Sequence, residues 1–176
     1  TRETPGILKP GTTVTGTIDS LNDIDTYQLQ IEKGETWVVD TVAGRIGSPL
    51  VPSVRITNAT GREVAFQDTL ANADPRTVFT ARESGTYFVT IRDARYKGGG
   101  DFRYRVTAHE HASATGVFPR SGQPGKALNV RVDGPNAPLT PISVMMPEFA
   151  VPGITSISIP MGTAWSQPIP FFVDIY

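Results

Sequence analysis

The stretch Ser84-Gly85-Thr86-Tyr87-Phe88-Val89-Thr90-Ile91 decides the fold class of this chain. Within it, Tyr87, Val89 and Ile91 alternate with a second set of residues, and this period of two is typical of a half-buried β-strand. The glycine at its start accepts the backbone conformations that tight turns require. The same alternation returns in residues 102–106. Both stretches therefore predict β-strands.

Shorter runs of the same kind lie on both sides of this stretch. They cover residues 12–18, 27–31, 37–42, 54–56, 64–66 and 78–79. Turn signals separate the runs, among them Lys33-Gly34, Thr60-Gly61 and Gly98-Gly99-Gly100, and for the last we expect a flexible hairpin tip. About eight short strands at regular spacing are typical of a β-sandwich or jelly roll. The predicted fold class is therefore all-β.

The composition changes along the chain. Thirteen of the 16 Lys and Arg residues lie in residues 1–110, whereas ten of the 15 Pro residues lie in the last 66. This contrast, with a small-residue stretch at 112–116, predicts two domains that cover residues 1–111 and 112–176. The second has strand-like runs at 127–132, 142–146, 154–159 and 170–175. These strands must be short, because proline cannot donate to a ladder, and we expect a small, Pro-rich β domain that is truncated.

The bulk composition excludes several classes of function. A net charge of −1 does not supply the basic surface of a nucleic-acid-binding protein. Without cysteine there is no disulfide, thiolate metal site or cysteine nucleophile. No apolar run approaches the ~20 residues that span a membrane. The sequence has two histidines, His109 and His111, which are either a metal pair or two solvated side chains. It has no Gly-x-Ser-x-Gly motif, so we predict that the chain is not an enzyme.

Several short motifs follow one another in a fixed order through the first 110 residues. They are Pro10-Gly11, Gly16, Asp23-Ile24-Asp25-Thr26-Tyr27, Lys33-Gly34-Glu35, Gly47-Ser48-Pro49, Thr60-Gly61-Arg62, the stretch at 84–91, and Tyr104-Arg105-Val106. Together they resemble the bacterial pre-peptidase C-terminal domain family, whose relatives include the collagen-binding domains of collagenases. Residues 116–134 resemble the start of an Ig-like domain. The resemblance implies a jelly-roll-type β-sandwich followed by a smaller Ig-like β domain.

The resemblance also implies a function. Members of the family are attached to secreted peptidases or other large extracellular bacterial proteins, where they aid localisation, export or substrate contact. We therefore expect a non-catalytic accessory or spacer module of a secreted, cell-surface or periplasmic protein, with extracellular protein or polysaccharide as partner. The alternative is a carbohydrate-binding module of a secreted hydrolase. A coplanar row of exposed aromatic rings would favour that alternative, and a basic, Tyr-lined strand face would favour a protein ligand.

Four carboxylates are candidates for a metal site. Asp23 and Asp25 lie two residues apart, and Asp68 and Asp74 bracket a second loop. Calcium takes roughly six to eight oxygen ligands, often from neighbouring loops, so one interpretation of these carboxylates is a calcium site, with calcium as the candidate cofactor. Collagen-binding relatives bind calcium, with much of the site in an N-terminal linker where this chain has Glu3. The interpretation that the sequence favours is that Asp23 and Asp25 cap turns by accepting hydrogen bonds from nearby backbone N–H groups.

Aromatic and basic side chains around residues 92–105 indicate a ligand-binding surface. Tyr96 lies in a predicted loop and is expected to be exposed, whereas alternation directs other rings to the core: Tyr87, Phe102 and Tyr104. A basic cluster is expected on two neighbouring strands: Arg92, Arg95, Arg103 and Arg105. We predict Tyr96, Arg95 and Arg103 as ligand-binding residues, and the alternative is a solvated outer face.

Overall fold

The computed structural model describes residues 4–68, 74–110, 114–148, 151–161, 164–166 and 169–174. The chain divides into two compact units, Thr1–Glu110 and His111–Tyr176. In the described residues, regular structure consists of strands and a 3-10 helix at Gly44–Ile46, which confirms the predicted all-β class. None of the described helical residues forms a segment long and apolar enough to cross a membrane. Residues 111–113, at the predicted boundary between the two domains, lie outside the described segments.

Nine strands lie in the described part of the first unit. They are β1 Gly6–Ile7, β2 Thr13–Thr17, β3 Ile24–Ile31, β4 Thr36–Val42, β5 Pro52–Asn58, β6 Glu63–Asp68, β7 Arg76–Thr80, β8 Gly85–Asp93 and β9 Arg103–His109. Strands β2 to β9 pair in a nested, antiparallel manner: β5 with β6, β4 with β7, β3 with β8, and β2 with β9. This nesting, rolled into two sheets, is the jelly-roll arrangement.

The nested pairs form two sheets that enclose a common core. One sheet has the strand order β1-β3-β8-β5-β6, and the other has the order β2-β9-β4-β7. Side chains along a strand point alternately to the two faces of its sheet, so each sheet has one apolar face. The predicted inward residues Tyr87, Val89 and Ile91 of β8 and Tyr104 and Val106 of β9 are all buried in this core. Alternation therefore predicted the inner faces correctly.

The connection between β8 and β9 differs from its prediction. The two strands belong to different sheets, so the connection crosses between layers and is not a hairpin. A Cβ built on Gly98 would overlap the carbonyl oxygen of Ser20. The N–H of Gly99 donates to the carbonyl of Ile18 at 2.8 Å. The prediction of a flexible hairpin tip is therefore wrong, because these glycines allow close backbone packing on the segment after β2.

The second unit contains shorter strands in its described residues. They are β10 Gly116–Phe118, β11 Ser121–Gly122, β12 Ala127–Asp133, β13 Ile142–Met145, β14 Gly153–Ile157, β15 Pro160–Met161, β16 Ala164–Trp165 and β17 Ile169–Val173. They form sheets of order β10-β12-β13, β11-β17-β14 and β15-β16. Val130, Ile159, Phe171 and Val173 are buried in the core of this unit. Residue 175 of the last predicted run lies outside the described residues, and the Ig-like assignment stays a prediction.

Candidate functional site

The outer face of the five-stranded sheet carries a groove of about 460 Å³. We call it the sheet groove, and the lining residues used below are Asp23, Ile24, Thr26, Arg55, Thr57 and Thr90. A smaller recess of about 200 Å³ shares Thr57 and Gly61 with it and reaches Phe88. The shared residues make the two depressions neighbours on the same face, so together they offer an elongated surface.

Strand pairing places three lining residues in one row across the sheet. Thr26 of β3 lies opposite Thr90 of β8, and Thr90 lies opposite Arg55 of β5. Their neighbours in the chain belong to the core: Tyr27, Val54, Ile56, Val89 and Ile91. Because side chains alternate along a strand, the row faces away from that core. Thr57 stands two residues beyond Arg55 and shares its face.

The threonines of the sheet groove have unused hydrogen-bonding capacity. Thr26 is 3% exposed, and its Oγ1 has no hydrogen-bond partner in the described part of the chain. The hydroxyls of Thr57 and Thr90 likewise make no bond to another described residue. A buried hydroxyl without a partner costs about 1–3 kcal/mol. Thr57 and Thr90 line the open groove, so their hydroxyls can bond to a ligand there, which makes this face of the sheet a candidate site.

Arg55 is held in place at the edge of the sheet groove by the neighbouring strand β6. Its Nε lies 3.1 Å from Oε2 of Glu63. Its guanidinium also lies over the ring of Phe66, 5.5 Å from the ring centroid, in a cation–π contact. An arginine carries five N–H donors, so both contacts leave donors for a ligand. The result is a partly exposed cation that contacts β6 and lies on the face of the sheet groove.

Two of the four candidate metal ligands cap turns: Asp23, for which capping was expected, and Asp74, for which it was not. The carboxylate of Asp23 accepts the backbone N–H groups of Asp19 and Ile24, both at 2.8 Å. The carboxylate of Asp74 caps the 3-10 helix and accepts the N–H of Gly44 at 2.7 Å. Burial raises the pKa of Asp74, but hydrogen bonds to its carboxylate outweigh burial and hold the pKa below 3.8.

The other two predicted metal ligands do not join them in one site. Asp25 accepts a hydrogen bond from the hydroxyl of Tyr104, and Asp68 ends β6 opposite Ser53 of β5. In the described residues, no group of three or more His, Cys, Asp or Glu side chains could hold a metal ion. The predicted calcium site stays a prediction that this geometry does not support.

One histidine of the predicted pair belongs to a polar network. Nε2 of His109 lies 3.2 Å from Oδ2 of Asp40, whose Oδ1 lies 2.6 Å from Nε of Arg76. Burial raises the pKa of Asp40, but its bonds to His109 and Arg76 outweigh burial and hold it below 3.8. His111 lies outside the described residues. The contacts of His109 are thus those of a structural side chain.

Asp25 belongs to a polar network inside the jelly roll. The hydroxyls of Tyr27 and Tyr104 lie 2.7 Å apart, and the Tyr104 hydroxyl donates to Asp25. Burial raises the pKa of Asp25 above 3.8, the carboxylates of Asp23 and Asp19 add to the rise, and the Tyr104 hydrogen bond only partly offsets it. Burial likewise raises the pKa of both tyrosines above 10.0. The phenols therefore stay protonated and act as donors.

The raised pKa of Asp25 predicts a pH-dependent stability difference. The folded state binds the proton of Asp25 more tightly than the unfolded state does. The free energy of unfolding therefore falls as pH rises from 3.8 through the folded-state pKa. Asp25→Asn cannot ionise, so its stability relative to the parent protein should rise across this window, by at most about 1.4 kcal/mol per pH unit. Urea unfolding at several pH values measures the difference. Asp68→Asn is the matched control, and an equal trend in both variants would contradict the assignment.

The three predicted ligand-binding residues lie at different places. Tyr96 is 55% exposed in the loop after β8, with the guanidinium of Arg92 4.4 Å from its ring centroid. Arg95 bonds to the carboxylate of Asp93. Arg103 lies on β9, in the four-stranded sheet. The expected basic cluster on two neighbouring strands is wrong, because Arg92 on β8 and Arg103 on β9 belong to different sheets.

Two features of the first unit were not predicted from the sequence. The row of Thr26, Thr90 and Arg55 joins three strands, and its only local signal is threonine at the polar positions of alternating runs. Asp93 is buried, and its carboxylate accepts the N–H of Val51 at 2.9 Å together with bonds from the loop that follows it. An aspartate at the end of a strand, directly before a turn, is the signal that could have identified it.

Comparison with known proteins finds partial similarity to solved structures. No protein-family model matches the chain, and no curated protein sequence matches it. The pre-peptidase C-terminal domain of collagenase from Bacillus anthracis has 15% identity and a TM-score of 0.47, and the match covers 60% of this chain and 94% of that one. The PliG periplasmic inhibitors of g-type lysozyme also match over 60% of this chain. The protein from Salmonella Typhimurium has 16% identity, 98% coverage of its own chain and a TM-score of 0.42. That from Aeromonas hydrophila has 12% identity, 96% coverage and a TM-score of 0.41.

Proposed function

We propose that the chain is a non-catalytic attachment module of a secreted protein, and that the sheet groove holds an extended extracellular polymer. The observation that carries this proposal is the outward row of Thr26, Thr90 and Arg55. The hydroxyls of Thr90 and of the adjoining groove residue Thr57 bond to no other described residue, and Arg55 lies on the same face with its guanidinium against β6. Polar groups arranged along an open sheet face suit a long ligand that makes many weak bonds.

A carbohydrate-binding module is the second candidate. Its supporting observation is two rings on this face of the sheet: Phe66, which is 44% exposed and contacts Arg55, and Phe88, which lines the adjoining recess. They lie on β6 and β8, with β5 between them, so they do not form the adjacent, coplanar row that would favour this alternative. Threonine hydroxyls and an arginine can nevertheless bond sugar hydroxyls, so polysaccharides belong among the test ligands.

Retention by insoluble polymers tests the sheet groove. The protein should be retained by at least one of cellulose, chitin, peptidoglycan and gelatin. The double variant Thr57→Val/Thr90→Val should bind that polymer about thirtyfold more weakly, because two lost hydrogen bonds at about 1 kcal/mol each cost about 2 kcal/mol. Its unfolding midpoint should change little, because neither hydroxyl bonds to another described residue.

Thr41→Val is the matched control for that experiment. Thr41 is fully buried in β4, and its hydroxyl also lacks a partner in the described chain, yet it does not line the groove. The control variant should bind as the parent protein does. Equal retention of the double variant, or retention of the parent protein by none of the polymers, would contradict a polymer site in the groove. Gelatin as the retaining polymer would favour a protein ligand over a carbohydrate.

A further inference from the structure

The four-stranded sheet carries a second cleft, on the opposite side of the jelly roll from the sheet groove. Its volume is about 560 Å³. We call it the basic cleft, and the lining residues used below are Thr15, Ile46, Ser48, Asp101, Arg103 and Arg105. These residues come from β2, from β9 and from the segments at 46–49 and 101, so the jelly-roll pairing assembles the cleft from distant parts of the chain.

Alternation along β9 sets the two arginines side by side. Tyr104 and Val106 are buried in the core, so Arg103 and Arg105 point to the outer face, about 6.7 Å apart along the strand. Arg105 lies opposite Thr15 of the edge strand β2. Two guanidinium groups and a threonine hydroxyl thus share one open surface.

The two arginines differ in how they are held. Nε of Arg103 donates to the carbonyl of Gly100 at 3.2 Å, which fixes its side chain at the rim. The side chain of Arg105 makes no hydrogen bond or ion pair with the described residues. Asp101 is the acidic residue of the lining, so the two arginines leave the cleft with a net positive charge. A guanidinium of this kind is a donor fork that fits carboxylate or sulfate oxygens.

We propose that the basic cleft binds the anionic groups of an acidic polysaccharide, independently of the sheet groove. The arginines would bind the carboxylate or sulfate groups, and threonine hydroxyls would hydrogen-bond to the sugar hydroxyls. β2 supplies such hydroxyls on the same face, because Thr13, Thr15 and Thr17 alternate along it. An acidic peptide fits less well. Protein ligands usually bind through buried apolar anchors, and among the lining residues used here Ile46 alone offers a large apolar side chain.

Affinity electrophoresis with soluble polymers tests this site. Polygalacturonate carries carboxylates and dextran sulfate carries sulfates, so the pair shows which anionic group is bound. Neutral dextran tests for binding of uncharged sugars. Polyglutamate tests for binding of an acidic peptide. The protein should bind at least one acidic polysaccharide more tightly than polyglutamate and should not be retarded by neutral dextran. Binding should weaken as salt is added, because exposed charges are screened.

Variants then assign that binding to the cleft. Arg105→Gln should weaken it about tenfold, the loss expected for charge-assisted hydrogen bonds, and Arg103→Gln/Arg105→Gln should abolish it. Arg131→Gln removes an equal charge from an exposed arginine of the second unit and should leave binding unchanged. The groove variant Thr57→Val/Thr90→Val should also bind as the parent protein does, so failure of one site does not imply failure of the other.

Three results would overturn the proposal. One is equal weakening by Arg131→Gln, which would indicate a net-charge effect. Another is that Arg103→Gln/Arg105→Gln binds the acidic polysaccharide as tightly as the parent protein does while its unfolding midpoint is unchanged. The third is binding of polyglutamate at least as tight as that of the acidic polysaccharides, which would make the ligand a peptide.

Discussion

Gly16→Ala should destabilise the first unit by about 2–3 kcal/mol, the cost of forcing extra atoms into a packed core. A Cβ on Gly16 would overlap the hydroxyl and ring of Tyr104, with Cε1 at 2.8 Å. Tyr104 cannot move aside easily, because it is fully buried and its hydroxyl bonds to Tyr27 and Asp25. The midpoint of thermal unfolding should fall by roughly 10 °C.

Two further variants make this result specific. Gly100→Ala is the matched control, because a Cβ at that position meets open space, and its effect should stay within about 0.5 kcal/mol. Tyr104→Phe removes one of the atoms that the new Cβ would overlap. Combined with Gly16→Ala, it should therefore cost less than the sum of the two separate losses. Strict additivity would contradict a direct clash between residues 16 and 104.

Asp93→Ala should cost about 3 kcal/mol, because it removes a buried charged acceptor from several donors at once. The carboxylate accepts the backbone N–H groups of Val51, Arg95 and Lys97 at 2.9, 2.8 and 3.2 Å. It also lies 3.3 Å from the guanidinium of Arg95. These bonds connect the loop after β8 to Val51, directly before β5. In Asp93→Ala, amide hydrogen exchange at Val51 should therefore be faster, and urea unfolding should show the lower stability.

The pH dependence of the Asp93 effect follows from its pKa. Burial raises the pKa of Asp93, but the hydrogen bonds from Val51 and Arg95 outweigh burial and hold it below 3.8. The carboxylate's stabilising contribution is therefore complete above that value and is lost as pH falls through the folded-state pKa. Asp93→Ala should thus cost most near neutral pH and least in strong acid. Asp101→Ala, at an exposed position, is the control, and an equal cost there would contradict the assigned role.

The inner faces of the strands were predictable from the sequence alone. Tyr87, Val89 and Ile91 are buried because side chains alternate along any strand, whatever its partners are. The capping role of Asp23 was within reach for a similar reason, since an aspartate binds N–H groups a few residues away. Both are local properties, which the order of residues specifies directly.

Strand pairing decided what the sequence alone left open. It put Arg92 and Arg103 in different sheets, although they had been grouped by their position in the chain, and in the described residues it brought no three acidic side chains together as a metal site. It also assembled the row of Thr26, Thr90 and Arg55 from three strands. Such contacts depend on the register between distant segments, which the burial of the whole core selects. The inner faces were thus a local property of the sequence, whereas both candidate sites exist only in the folded jelly roll.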